Sequence, residues 1–505
     1  MKKTAILIMC LTMLSKVFGF GRDMVLSFYY GATSVSDAYL ISMTIPSVIF
    51  SFVGAGISTG YIPMYSKIKN DEGEENAHIF TSNLVNILLV MCIGVTILGM
   101  IFTSNLVSMF ASGFEGETLD LAIKFTRISL IGINITAILY VFTPFLQLNG
   151  NYAIPALIGF PLNLITVIFI VISGKTNVLL LAVGTLIATI SQLGLLIPFI
   201  KKKKYKHSLS LNLKDKHIKM MLLISIPIIL GTSVNDLNVL IDRTIASSLE
   251  VGSISALNYA GKLNGFVRGI FVVSITTVLY PTISKMAAEG NMVGLKKNVS
   301  QSIVGISLLV IPVSVGAMIF AEPIVSLLFG RGAFDDNAVK MTSTALFYYS
   351  VGMLWTGLRD VLSKAFYSIQ DTKTPVINAT IGVVVNIILL LSLTRYLGIG
   401  GLALATSLSS LVTTILLYIS LRKKIGSLDT MSTFKSLVKI AFASLGMAVI
   451  SLLLYKRLST SISSSMSLIS VIIVGAVIYS ILIIILKIDG VANIVHSLRK
   501  KIKLR

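Results

Sequence analysis

Apolar residues fill this chain in blocks of twenty or more, broken by short polar turns. A block of about 20 apolar residues is what a helix needs to cross the hydrocarbon of a bilayer. The pattern predicts about fourteen such spans, from Met13–Tyr29 and Asp37–Met64 at the start to Phe434–Leu454 and Met466–Leu486 at the end. The first two, Met13 to Lys67, organise the rest, because Lys16, Arg22, Asp23 and Asp37 lie inside or at the ends of apolar helices. Ionisable groups at that depth cost several kcal/mol, so they normally face a bundle interior or a wet cavity.

Composition narrows the class. Of 505 residues, 55% are apolar and only 12% charged, about half the charge of a soluble protein. The formal net charge of +21 would suit a nucleic-acid binder, but the lysines and arginines sit mostly in short loops, so no nucleic-acid partner is expected. The start, MKKTAILIMCLTMLSK, imitates a signal peptide. With no small-x-small cleavage site, it reads as a retained first span. Cys10 and Cys92 fall in apolar segments and suggest neither a disulfide nor a metal site.

Loop charge sets the orientation. With a cytoplasmic N-terminus, the inward loops hold Lys67 and Lys69, Lys201–Lys204 with Lys206, Lys214, Lys216 and Lys219, the group around Arg422–Lys424, and the tail from Lys487 to Arg505. The outward loops hold only Lys175, Arg331, Arg395, Lys456 and Arg457. The positive-inside rule then places both termini in the cytoplasm. The Lys201–Lys206 run is read as a topology determinant touching anionic lipid.

The chain also repeats. SVSDAYL (Ser34–Leu40) resembles SISALNY (Ser253–Tyr259), PMYSK (Pro63–Lys67) resembles PTISK (Pro281–Lys285), and FLQLNGNYAIP (Phe145–Pro155) parallels FYSIQDTKTP (Phe366–Pro375). All three share an offset of about 220 residues, as one duplicated six-span lobe would give. An even number of spans makes the repeat parallel, with a substrate site between the lobes. The expected architecture is an all-α polytopic membrane protein: residues 1–212 and 213–428 as two six-helix lobes, and 429–505 as two further spans with a basic cytoplasmic tail.

The candidate site follows from the buried charges. Lys16 and Arg22 are six residues apart, within about 120° of one another on a helix, and Lys262 and Arg268 share that spacing. Cations from both lobes facing one cavity would hold an anion such as phosphate, with Asp37 accepting a bond from one of them or tuning the cavity during a conformational change. Asp242 with Arg243 and Arg359 with Asp360 read as local pairs, and Lys124 and Lys340 as structural charges. Gly54–Gly60 and Gly261–Gly269 permit either close packing or bending. His78, His207, His217 and His496 are scattered, and no nucleotide loop or Ser/His/Asp set occurs. Hence no metal site, no cofactor and no enzymatic activity is expected, while coupling to the membrane potential or to an ion stays open.

Several stretches point to a family. SKVFGFGRD (Ser15–Asp23), SDAYL, NVLIDRTIASSLEVGSISALNYA (Asn238–Ala260), LLFGRGAFD (Leu327–Asp335), AFYSIQDTKTP (Ala365–Pro375) and GLALATSL (Gly401–Leu408) resemble the MurJ/MviN family of lipid II flippases. That resemblance implies fourteen spans, a cationic cavity and alternating access carrying an undecaprenyl-pyrophosphate-linked precursor to the outer leaflet of the bacterial cytoplasmic membrane. It further implies a lipid-tail groove at the last two spans, and a monomer is expected. Within it, Arg22 matches an essential arginine and Asp37 the acid opening the second span, while Lys16 and Lys262 stand where arginine is common. Two positions depart from the family: Phe50 and Ala55 replace an arginine and a glutamate. Pro375–Tyr396 also lacks the acid that some members use to bind sodium, which bears on Asp236 and Asn378. The alternative is an exporter of another lipid-linked oligosaccharide. A membrane-embedded glycosyltransferase would need a catalytic acid or metal beside a larger outer loop.

Overall fold

The computed structural model describes the backbone of residues 2–487 and the side chains of all of these except positions 2–7, 58, 59, 227, 228, 230–235 and 430. The basic residues expected in the tail, Arg499 to Arg505, lie outside the described residues. Every described element is helical, since a backbone crossing lipid must satisfy its hydrogen bonds within its own segment. In order these are α1 (Lys2–Tyr30), α2 (Ser34–Asp71), α3 (Glu74–Ile101), α4 (Thr103–Phe110), α5 (Gly116–Leu148), α6 (Ala153–Leu157), α7 (Gly159–Ser173), α8 (Leu180–Lys202) and α9 (Lys216–Ser247). There follow α10 (Ser253–Val267), a π-helical turn (Arg268–Val272), α11 (Val273–Ala288), α12 (Met292–Ile319), α13 (Ala321–Phe329), α14 (Asp336–Ser368), α15 (Lys373–Leu397), α16 (Ile399–Ile425), α17 (Thr430–Leu458) and α18 (Ser464–Ile485).

Among the described residues, 11 helical stretches are long and apolar enough to cross a membrane. Three more, α1, α9 and α14, have 29, 32 and 33 residues, more than the roughly 30 Å of hydrocarbon requires at 1.5 Å per residue. These three carry much of the intramembrane charge singled out in the sequence. The repeat is visible in local structure as well. In both halves the third span breaks at a phenylalanine, Phe102 (φ −100°, ψ 24°) and Phe320 (φ −106°, ψ 26°), and a short helix, α4 or α13, follows. The hydropathy pattern merged each short helix with its span or missed it.

The chain forms two compact units. One holds the residues up to Ser255 with Arg331–Asp335, and the other holds Ala256–Gly330 and the residues from Asp336 on. This division does not follow the repeat: α9, expected with the second lobe, packs on α2 in the first unit. The first unit is built around α2, flanked by α5, α9 and α3. Its core joins Tyr61, Tyr65, Phe80 and Phe145, all 1–2% exposed or less. Tyr61 stacks on Phe80 at 6.0 Å and meets Tyr65 at 5.7 Å, and its hydroxyl pairs with that of Thr81 (2.9 Å), as a buried phenol requires. In the second unit, α14 packs on α16, α12 and α13, α15 on α16, and α17 on α12 and α18.

The Gly54–Gly60 stretch resolves into a packing face. A Cβ at Gly60 would lie 2.6 Å from Met221 Cγ and 3.2 Å from the Met221 carbonyl oxygen, and the Gly56 carbonyl accepts from Ser225 Oγ at 2.9 Å. Gly60→Val should therefore cost about 1–3 kcal/mol by overpacking the α2–α9 contact, read as a lower thermal midpoint of the detergent-solubilised protein. Gly261→Ala is the matched control, since a Cβ there meets nothing within 4 Å.

Candidate functional site: cations held by carboxylates

In α1, Arg22 reaches the carboxylate of its neighbour Asp23 with two nitrogens, Nε at 3.1 Å and Nη2 at 2.7 Å from Oδ1. Asp23 is 4% exposed; a carboxylate so placed needs a charged partner, and a fork-shaped guanidinium is the best one. Asp23, for which the sequence offered no role, is thus the resting partner of Arg22. Lys16, six residues earlier on the same helix, is exposed and lines a cavity of 620 Å³ with Tyr140, Gln147 and Gln192. The structure therefore brings Lys16 to a cavity wall and Arg22 to an ion pair.

Expected to meet a cation of that cavity, Asp37 is placed otherwise. Its Oδ2 accepts from the Gly252 N–H (2.8 Å), and its Oδ1 from the N–H (2.8 Å) and hydroxyl (2.5 Å) of Ser255. These groups belong to the turn that starts α10, whose first N–H groups have no intrahelical acceptor. A carboxylate there caps the helix and meets the positive end of its dipole. Arg243 completes the tie by donating to the Ile254 carbonyl (3.2 Å), rather than acting only as the local partner of Asp242. Gly252, at φ +90°, has no room for a Cβ, which would lie 2.1 Å from the Ala32 carbonyl oxygen.

In the second unit, Arg268 makes a two-point contact with Asp360, Nε to Oδ2 at 2.8 Å and Nη2 to Oδ1 at 2.8 Å. Asp360 therefore pairs across helices, which corrects the reading of Arg359–Asp360 as a local pair. Arg268 opens the π-helical turn, a distortion often found at functional sites; this is where Gly261–Gly269 departs from a regular helix. Lys262 is exposed on α10. Lys364 lies 4.9 Å from the Tyr280 ring centroid, a cation–π contact that sequence reading missed. Among the described residues no group of three or more metal-ligating side chains occurs. Asp236 accepts from the Ser51 hydroxyl at 2.5 Å, and Asn378 faces Ser420 at 3.4 Å.

Two departures and two motifs also find their places. Phe50 is buried, edge-on to Tyr140 at 5.0 Å, on a 170 Å³ cavity lined with hydroxyls from Ser129, Thr136 and Thr185. Phe50 and Tyr140 make this side of the cavity an aromatic wall. In LLFGRGAFD, the Ala333 N–H donates to the Phe28 carbonyl (2.8 Å), and Gly332 sits at φ +65° against Phe28. In FYSIQDTKTP, Asp371 caps the start of α15 through the N–H and hydroxyl of Thr374 (3.0 and 2.6 Å) and accepts from Lys424 at 2.6 Å. Burial would raise the Asp371 carboxyl, but Lys424 and Thr374 outweigh it and bring it down to about 2. Both motifs are thus held by structural ties.

Eleven helical stretches among the described residues long and apolar enough to cross a bilayer define an integral membrane protein. A family model described as Lipid II flippase MurJ matches residues 26–479, and the chain belongs to that family. Relatives named Probable lipid II flippase MurJ include that of Thermotoga maritima, 30% identical with 96% of each chain covered. That of Buchnera aphidicola subsp. Acyrthosiphon pisum is 31% identical with 89% of each covered. The solved inward closed conformation of lipid II flippase MurJ superposes with a TM-score of 0.81 at 26% identity, covering 94% of this chain and 98% of that one. An inward-facing multidrug resistance MATE family transporter of the MOP superfamily (TM-score 0.71, 17% identity, 84% of this chain and 99% of that one) shares the fold.

Proposed function

We propose that this chain moves lipid II from the inner to the outer leaflet of the bacterial cytoplasmic membrane by alternating access. It acts as a transporter and not as an enzyme, with fourteen spans, both termini in the cytoplasm, and as a monomer. The observation that carries the flipping activity is the match of nearly the whole chain to a lipid II flippase fold, supported by the family match. The pyrophosphate is the part of the cargo that a cluster of cations recognises best. Lys16, Arg22, Lys262 and Arg268 are the groups we assign to it. Arg22 and Arg268 rest on Asp23 and Asp360, so an arriving anion exchanges with a carboxylate instead of meeting a bare cation. In the empty site the pairing also keeps the buried Asp23 carboxylate compensated. Asp37 acts beside them as a positioning residue. No bound cofactor takes part. Net charge moving through the membrane field can drive the return step, at about 2.3 kcal/mol per charge per 100 mV. Expression of the wild-type chain in cells depleted of their own lipid II flippase should restore growth. A chain that inserts at normal levels and fails to rescue would move the cargo to another lipid-linked oligosaccharide.

A further inference from the structure

The α8–α9 connection is not a free loop. Residues 208–212, which form no helix, and the turn that begins at Leu213 lie along α3, and alternate residues are fastened to it. Asn86 Nδ2 donates to the carbonyls of Ser208 and Ser210, both at 2.8 Å. Asn83 exchanges two bonds with the Asn212 backbone, at 3.0 and 2.7 Å, and the Ser208 N–H donates to Ser82 Oγ (3.2 Å). Upstream, Tyr205 meets Ser82 at 2.8 Å and His207 meets Asn86 at 2.9 Å. Between and after these fastened positions, Leu209, Leu211 and Leu213 stand 88%, 52% and 72% exposed. Three leucines held in the open by five side-chain-to-backbone bonds are not a packing remainder.

The level at which this strap sits decides what covers it. Counting about 20 residues, or roughly 30 Å, back from Ile101 puts the inner edge of the hydrocarbon near Ser82. That is the level of Ser82, Asn83 and Asn86, the three residues that hold the strap. Its flanks are basic: Lys201–Lys204 and Lys206 precede it, and Lys214, Lys216 and Lys219 follow. The neighbouring acids are occupied, Asp215 by the N–H groups of His217 and Ile218 and Glu72 by Lys216. Apolar fingers between cationic flanks at an interface fit a bilayer surface carrying anionic headgroups.

We propose that the strap Ser208–Leu213 is an interfacial anchor: Leu209, Leu211 and Leu213 enter the acyl boundary of the inner leaflet while the flanking lysines bind anionic phospholipid. This rests on the membrane-spanning reading with an inward α8–α9 loop, not on the cargo, so a failure of growth rescue leaves it standing. The test places the single tryptophan of the chain on the strap. Full-length Trp355→Phe protein bearing Leu209→Trp or Leu213→Trp is reconstituted in phosphatidylcholine vesicles with and without phosphatidylglycerol, part of the lipid brominated on its acyl chains. Bromine should quench either tryptophan by roughly twofold or more. Quenching should be stronger with phosphatidylglycerol, and Lys206→Gln/Lys214→Gln/Lys219→Gln should remove that preference. Asn86→Ala, which frees the strap without touching a leucine, should lower quenching at both positions. Free access to acrylamide with no bromine quenching would overturn the proposal. So would protection that appears in detergent and grows with protein concentration, which would mark a second copy as the occupant. Quenching unchanged by Asn86→Ala would show that α3 does not set the depth.

Discussion

Arg22→Ala is expected to abolish growth rescue in flippase-depleted cells and also to lower the thermal midpoint of the purified protein. The two losses have different causes, and the Arg22–Asp23 geometry allows them to be separated. Removing the guanidinium leaves a carboxylate that is 4% exposed without its two-point partner. Stranding one half of a buried pair costs about 3–5 kcal/mol, whereas removing both halves is often close to neutral. Arg22→Ala/Asp23→Ala should therefore regain most of the midpoint. If Arg22 serves the pyrophosphate, the double variant stays unable to rescue growth although it is stable. Rescue by the stable double variant would sink that assignment and leave Arg22 a structural partner. Arg22→Lys keeps the charge but loses the fork, so partial rescue is expected.

Asp37→Ala should give the second large effect, through stability. It leaves the N–H groups of Gly252 and Ser255 without their acceptor, at about 1–3 kcal/mol for each buried group so orphaned, while the Ser255 hydroxyl keeps Ser36 Oγ at 2.8 Å. The variant should melt earlier than Ser255→Ala, which removes only one of the three donors, and amide exchange over residues 252–255 should speed up. Asp37→Asn, which keeps one oxygen but turns two donors toward donors, should fall between. An Asp37→Ala protein of normal midpoint and unchanged exchange that still fails to rescue would show that Asp37 acts on the cargo instead of on α10.

Fold and site differ in how much of each could be read from the sequence. Spans, repeat and helical class follow from hydropathy and local similarity, and the structure places helices where those patterns predicted them. What stayed hidden depends on residues far apart in sequence. Asp360 stands beside Arg359 and was paired with it, yet its partner Arg268 is 92 positions away. Asp37 looked like a cavity acid because nothing near it in sequence shows that Gly252, 215 positions later, delivers an N–H to it. The α2–α9 packing escaped for a related reason: a duplication tells which helices share ancestry, not which share a core. Phe50 could be recognised as a departure from the family, but not as one face of an aromatic wall with Tyr140.

The order in which the chain leaves the ribosome gives those distant ties another meaning. Phe28, Asp37 and the whole of α2 are made early. The groups that complete their surroundings, α9, Gly252, Ser255 and Ala333, are made only after the first six spans have passed into the bilayer. Until then the Asp37 carboxylate and the Phe28 carbonyl wait with protein partners unmade, in a bundle that is inserted but not finished. A nascent chain stalled before Gly252 should be digested more readily around residues 28–37 than one stalled after Asp335. Quality control of this protein in the cell would then be decided late in its synthesis.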